Sequence, residues 1–169
     1  METIVQPIQS NQTLVITAEQ LRQHWQGHRS LTRRVIESFP EEELFRFSVG
    51  GMRSFGQLAQ EMIDMADPGI RGVATRKWPA METGDSKQKI SSKKELLERW
   101  DEVTAIIDRY WQQIPEGRLQ ENDVAFGQYE GTVYWTLLYF IDNEIHHRGQ
   151  GYVYLLALGI QPPFFCERN

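Results

Sequence analysis

The residues best equipped for chemistry cluster in Asp142 to Gly151, DNEIHHRGQG, a polar interruption of the longest apolar segment in the chain. On a helix stepping about 100° per residue from Asn143 at zero, Val133, Leu137, Phe140, Tyr154, Leu155 and Leu158 fall in an arc of about 20° to 160°. On the same wheel His147 falls at about 40°, Glu144 at about 100° and Arg148 at about 140°, all inside the apolar arc. His146 and Asp142 fall outside it. The two adjacent histidines therefore have different expected fates, His147 inward and His146 toward solvent or a partner. Asn143 sits at the border, one turn before His147, so the two side chains can converge on one point. A second anomaly lies upstream: Glu61 shares a stripe with Leu58, Met62 and Met65, where a carboxylate costs several kcal/mol unless it is paired or bound to a metal. Glu61 and His147 are thus either a hydrogen-bonded polar pair or part of a metal site. Glu144 and Arg148, one turn apart, read as a buried ion pair, with substrate anchoring the less economical use. His24 and His28 also have ligand spacing, but with no carboxylate nearby in sequence they read as one surface and one core histidine.

Four periodic segments must position these groups. Thr17 with Gln20, Ser54 with Gln57 and Ser92 with Glu95 have the pattern of capping boxes and predict three helix starts. The first helix carries Leu21, Trp25, His28, Thr32, Val35 and Phe39 and ends at Pro40. The second carries Leu58, Met62 and Met65, with Asp67-Pro68-Gly69 expected to end or kink it. Residues Trp78 to Ser91 have no period and many breakers, predicting a loop. The third helix carries Leu96, Trp100, Val103, Ile107 and Tyr110 and stops before Pro115. An irregular link from Glu116 to Gly131 has room for a short extended pair, DVAF and QYEG. The fourth helix is expected from about Thr132 to Leu158, with Gly159 as its C-terminal cap. Gly149 and Gly151 inside it cost about 1 kcal/mol each relative to alanine, which implies close helix approach or room for a ligand. Four amphipathic helices without a long strand give an all-α up-down four-helix bundle, read as a single domain over residues 1–169.

The composition narrows the function classes. A chain of 169 residues with 40% hydrophobic and 24% charged residues suits one globular domain. The net charge of -5 argues against nucleic acid as a partner, and the basic run KQKISSKKE reads as a solvated loop and helix start. The one cysteine, Cys166, has no intramolecular partner and no neighbour in sequence that would activate it. The first ten residues lack the pattern of a signal peptide, and no apolar window is long enough for a membrane span, so a soluble cytoplasmic protein is expected.

The blocks NEIHHRGQ, LGIQPP and RSFGQLAQE together resemble the DinB family of DinB/YfiT-like four-helix proteins, which is unrelated to the DNA polymerase of the same name. The likeness covers the chain from about Thr17. It implies an up-down bundle, commonly a homodimer, with a divalent metal such as zinc or nickel held by one histidine of the second helix and two, four residues apart, on the last. In this sequence those positions hold Glu61, Asn143 and His147, so any metal would be weakly held: an amide oxygen is a poor zinc or nickel ligand. Relatives in the superfamily include thiol S-transferases and maleylpyruvate isomerase. Two readings follow. One is a divalent-metal-dependent enzyme of the thiol S-transferase type, acting on a small molecule with a low-molecular-weight thiol. The other is a catalytically degenerate, stress-associated binding or dimerising module without turnover. The apolar tail IQPPFF is a candidate for packing across a dimer.

Overall fold

The structure, a computed structural model, describes residues 15–79 and 89–168. Helix α1 spans Ala18–Ser38 and opens on a complete capping box, with Gln20 N–H donating to Thr17 Oγ1 at 3.1 Å and Thr17 N–H donating to Gln20 Oε1 at 2.9 Å. It ends where Phe39 turns extended ahead of Pro40. A six-residue helix, α2 (Glu41–Arg46), follows. The sequence periodicity did not predict it, because one and a half turns are too few to show a stripe. Helix α3 spans Phe55–Thr75 from the expected Ser54 box. It runs through Pro68 instead of ending there: one lost ladder bond is outweighed by the continuation of its buried face through Ala66, Gly69, Ile70 and Val73. Helix α4 spans Lys93–Trp111, and here only half the expected box forms, Ser92 Oγ accepting from Glu95 N–H at 3.2 Å.

After one turn of 3-10 helix at Arg118–Gln120, strands β1 (Asn122–Ala125) and β2 (Tyr129–Thr132) pair antiparallel with Asn122 opposite Thr132. Helix α5 spans Val133–Ala157. Gly159 at φ 75° closes it in the left-handed region, as the sequence predicted. Of the predicted Trp78 to Ser91 loop, residues 80–88 lie outside those described, as does the N-terminal decapeptide. The four long helices neighbour one another in the ring order α1, α4, α3, α5. Their inner faces bury Trp25, Val35, Phe39, Phe55, Leu58, Ile63, Trp100, Val103, Leu137 and Tyr154 in one core. Gly151 is where α3 and α5 come closest: a Cβ there would stand 2.5 Å from the Phe55 ring. Gly149 is different. It faces open space, so its lack of a side chain is not explained by packing within the chain.

Candidate functional site

The fold brings Glu61, Asn143 and His147 together. His147 Nε2 lies 3.0 Å from Glu61 Oε1 and 3.2 Å from Asn143 Nδ2. Glu61 enters from the second turn of α3, and Asn143 and His147 enter one turn apart on α5. His147 is buried, His146 beside it is exposed, and Asn143 is at the border, as the helical wheel required. Glu61 is less enclosed than its stripe implied. Its side chain keeps 31% of its exposure, because it lies at the α3 edge of the core facing the loop that leads into that helix. From that loop Arg53 pairs with Glu61 Oε2. Arg53 is held by its backbone, whose carbonyl accepts from Tyr154 Oη at 3.0 Å, and Gly50 and Gly51 upstream turn the chain with φ of 61° and 76°. The His147 hydrogen bond first, and then Arg53, hold the Glu61 carboxyl down at about 2 against the opposing cost of burial. The Glu61 Oε1 to His147 Nε2 bond requires the proton on Nε2, since an ionised carboxylate only accepts. His147 Nδ1 is buried with no hydrogen-bond partner.

A second polar cluster lies deeper, between α1 and α5. Glu144 is 2% exposed and accepts from Thr32 Oγ1 at 2.7 Å. Arg148, the partner expected from sequence, stands 4.0 Å from it, and Arg29 stands 3.8 Å away on the other carboxylate oxygen. The ion pair is therefore a shared triad. Arg148 spends its hydrogen bonds elsewhere, on Thr32 Oγ1 at 3.0 Å and His28 Nδ1 at 2.9 Å. Arg29 is fully buried. It donates to Thr104 Oγ1 and the Trp100 carbonyl, and its guanidinium lies 3.5 Å from the centre of the Trp100 ring. Burial drives all four ionisable groups toward their neutral forms: Glu144 upward, Arg148 downward, Arg29 down to about 10 and His28 down to about 3. For His28 the Arg148 cation adds to burial, so the ring accepts from Arg148 as neutral imidazole. His24 is exposed and meets His28 edge-on, with ring centroids 4.6 Å apart.

Sequence reasoning missed Arg29 and Arg53 for different reasons. Arg29 is four residues after Trp25 and three before Thr32, so the stripe did carry a signal for it. Arg53 precedes its helix and has no periodic signal at all.

The model of the DinB family matches residues 9–168. The chain belongs to the DinB family. Its fold is shared with the crystal structure of a DinB-like protein from Bacillus cereus ATCC 10987, at 22% identity and a TM-score of 0.69, covering 86% of this chain and 95% of that one. A DinB-like protein from Bacillus subtilis aligns at 17% identity and a TM-score of 0.67, over 88% of this chain and 99% of the other. Among curated protein sequences none matches.

Within this DinB fold, no group of three or more His, Cys, Asp or Glu side chains among the described residues stands ready to hold a metal ion. A concave space of about 850 Å³ lies elsewhere, lined by Ile16, Leu21, Trp111, Ile114, Leu119 and Tyr134. Tyr134 is about 20 Å along α5 from His147 at the 1.5 Å helical rise, so that space and the Glu61–His147 pair are separate features. No helix among the described residues is long and apolar enough to cross a membrane.

Proposed function

We propose that this chain is a DinB-type binding module that works without a resident metal, and that the hydrogen-bonded Arg53–Glu61–His147 cluster, with Asn143 beside it, replaces a metal centre. The observation that carries this reading is the way the cluster spends its donors. A divalent cation takes the lone pair of an imidazole nitrogen and leaves the proton on the other nitrogen, which then needs an acceptor. At His147 that other nitrogen is Nδ1, buried with none. The carboxylate already has a cation, because Arg53 occupies Glu61 Oε2. Asn143 supplies at best a weakly ligating amide oxygen. The residues therefore fit a resident zinc or nickel poorly. The enzyme reading of the thiol S-transferase type, with a low-molecular-weight thiol as co-substrate, would need a metal that these groups hold only by expelling Arg53.

A second reading, a weak divalent site, is favoured by the convergence of Glu61, Asn143 and His147 within 3.2 Å. Competitive zinc titration separates the two, using protein purified without a nickel column. Under the first reading the wild type arrives without stoichiometric metal, and Glu61→His/Asn143→His binds zinc about tenfold tighter or more, since two imidazoles replace a paired carboxylate and an amide. Stoichiometric metal in the wild type, lost in His147→Ala, overturns the module reading. A double variant that folds but gains no affinity shows instead that the three positions do not share one point in solution.

A further inference from the structure

Past the end of α5 the chain turns back over α1. Arg34 on α1 donates to the Glu167 carbonyl, Arg168 Nη1 lies 3.3 Å from His28 Nε2, and a Cβ on Gly27 would stand 3.1 Å from the Arg168 carbonyl oxygen. Beside this tail, hydrogen-bond donors outnumber acceptors. Arg34 Nε and Tyr152 Oη are both buried with no hydrogen-bond partner. His28 adds a third donor. A neutral imidazole has one lone pair, and Nδ1 spends it on Arg148 Nη2 at 2.9 Å. His28 Nε2 therefore carries the hydrogen and meets Arg168 donor against donor. Buried donors left this way are costly, because each has lost its water and gained nothing in return.

Arg148 joins these groups into one cluster: it reaches His28 and stands one turn before Tyr152 on the same face of α5. Burial pushes the Tyr152 hydroxyl up, against the pull of the Arg148 and Arg34 cations beside it, so the hydroxyl keeps its hydrogen at neutral pH. Within ion-pair distance, Arg34, Arg148 and Arg168 meet only Glu144 and Glu167 among the described residues. Glu144 is already shared with Arg29. Glu167 stands 3.8 Å from Arg34 with its side chain 61% exposed. The one carboxylate free to serve this cluster therefore belongs to the tail. We propose that the cluster is a binding site for a small tetrahedral oxyanion, a phosphate or sulfate group, which the tail closes with the Glu167 carboxylate in the ligand's place.

The chemistry of the donors selects that ligand over its rivals. A water molecule would accept from two of them and bring two further hydrogens that need acceptors, whereas an oxyanion only accepts. A planar carboxylate matches the fork of a single guanidinium. Here the donors come from two helices, Arg34 from α1 and Tyr152 with Arg148 from α5, and oxygens that point apart can meet both. The tail can yield to such a ligand. Residues 164–168 are all exposed, and an ion pair as open to water as Arg34–Glu167 contributes little to holding them. The cluster lies on the α1 side of α5 and the Glu61–His147 pair on its α3 side. Failure to bind phosphate would therefore refute this site and leave the zinc titration and the metal-free reading as they stand.

The test is isothermal titration of the full chain with inorganic phosphate, sulfate and acetate, at one ionic strength fixed with sodium chloride so that screening is constant. Wild type should bind phosphate and sulfate about threefold tighter than acetate or more. Glu167→Gln should bind phosphate about threefold tighter than wild type, because the competing carboxylate is gone. Tyr152→Phe loses one hydrogen bond and should weaken phosphate about fivefold, and Arg34→Met loses a charged one and should weaken it about tenfold or more. Arg46→Met and Glu42→Gln make the same charge changes on the exposed surface of α2 and should bind as wild type does. Circular dichroism checks the fold of each variant, and Tyr152→Phe, which removes a single oxygen, keeps the test decisive if Arg34→Met does not fold. No phosphate binding by either wild type or Glu167→Gln, acetate bound as tightly as phosphate, weaker binding in Glu167→Gln, unchanged binding in Tyr152→Phe, or equal losses in Arg46→Met and Arg34→Met would each overturn the proposal.

Discussion

Replacing Glu144 by Gln removes one buried charge while keeping its shape, and the structure sets the expected cost. The carboxylate faces Arg29 at 3.8 Å and Arg148 at 4.0 Å, so at an effective dielectric of about 20 each attraction is worth about 4 kcal/mol gross. Against this gain stands the cost of keeping a carboxylate out of water, several kcal/mol. The Gln variant is spared that cost but leaves two buried guanidiniums without a countercharge. The net loss expected is about 3–5 kcal/mol, a large part of the roughly 5–15 kcal/mol that holds a domain folded. Urea denaturation is the appropriate assay, because guanidinium chloride would screen the charges being measured. The companion variant Arg29→Met/Glu144→Leu/Arg148→Met removes all three charges together and should lie within about 2 kcal/mol of wild type or above it, since a well-packed apolar replacement avoids desolvation altogether. A Glu144→Gln loss within about 0.5 kcal/mol, the range of an ordinary surface change, would refute the claim that this carboxylate neutralises the two arginines.

Other consequences can be measured on the same protein. Glu61 has its folded pKa held at about 2, below the ordinary value of 4.5, so its contribution is present above pH 4.5 and is lost as pH falls from there toward 2. The stability difference between wild type and Glu61→Gln, about 1 kcal/mol at neutral pH after allowing for partial exposure, should shrink toward zero in acid denaturation series, and a constant difference would contradict the assignment. Gly151→Ala forces a methyl against the Phe55 ring and should cost about 1–3 kcal/mol by chemical denaturation; an unchanged midpoint would mean that α3 and α5 are further apart than described. Arg118 is buried and donates to the Val73 carbonyl, Glu121 and Asp123, so Arg118→Met should cost about 2–4 kcal/mol, with a loss below about 0.5 kcal/mol counting against its role in tying the link to α3.

The parts of this protein legible in its sequence are those encoded over a few turns of one helix. Hydroxyl residues before α1, α3 and α4 announce their starts, Gly159 announces the end of α5, and the wheel separates His147 from His146, because side-chain direction along a helix follows from 100° per residue alone. The same local rule placed Asn143 beside His147 and marked Glu61 as an anomaly on an apolar stripe. What only the tertiary structure decided are the encounters between elements distant in sequence. Arg29 of α1 reaches Glu144 of α5 and turns an expected pair into a triad. Arg53, from a loop without periodicity, neutralises Glu61. The buried face of α3 carries the helix through Pro68 against a local signal to stop. In each case the energy that selects the outcome, a charge attraction in a dry core or apolar area removed from water, depends on a neighbour whose position no local pattern of residues specifies.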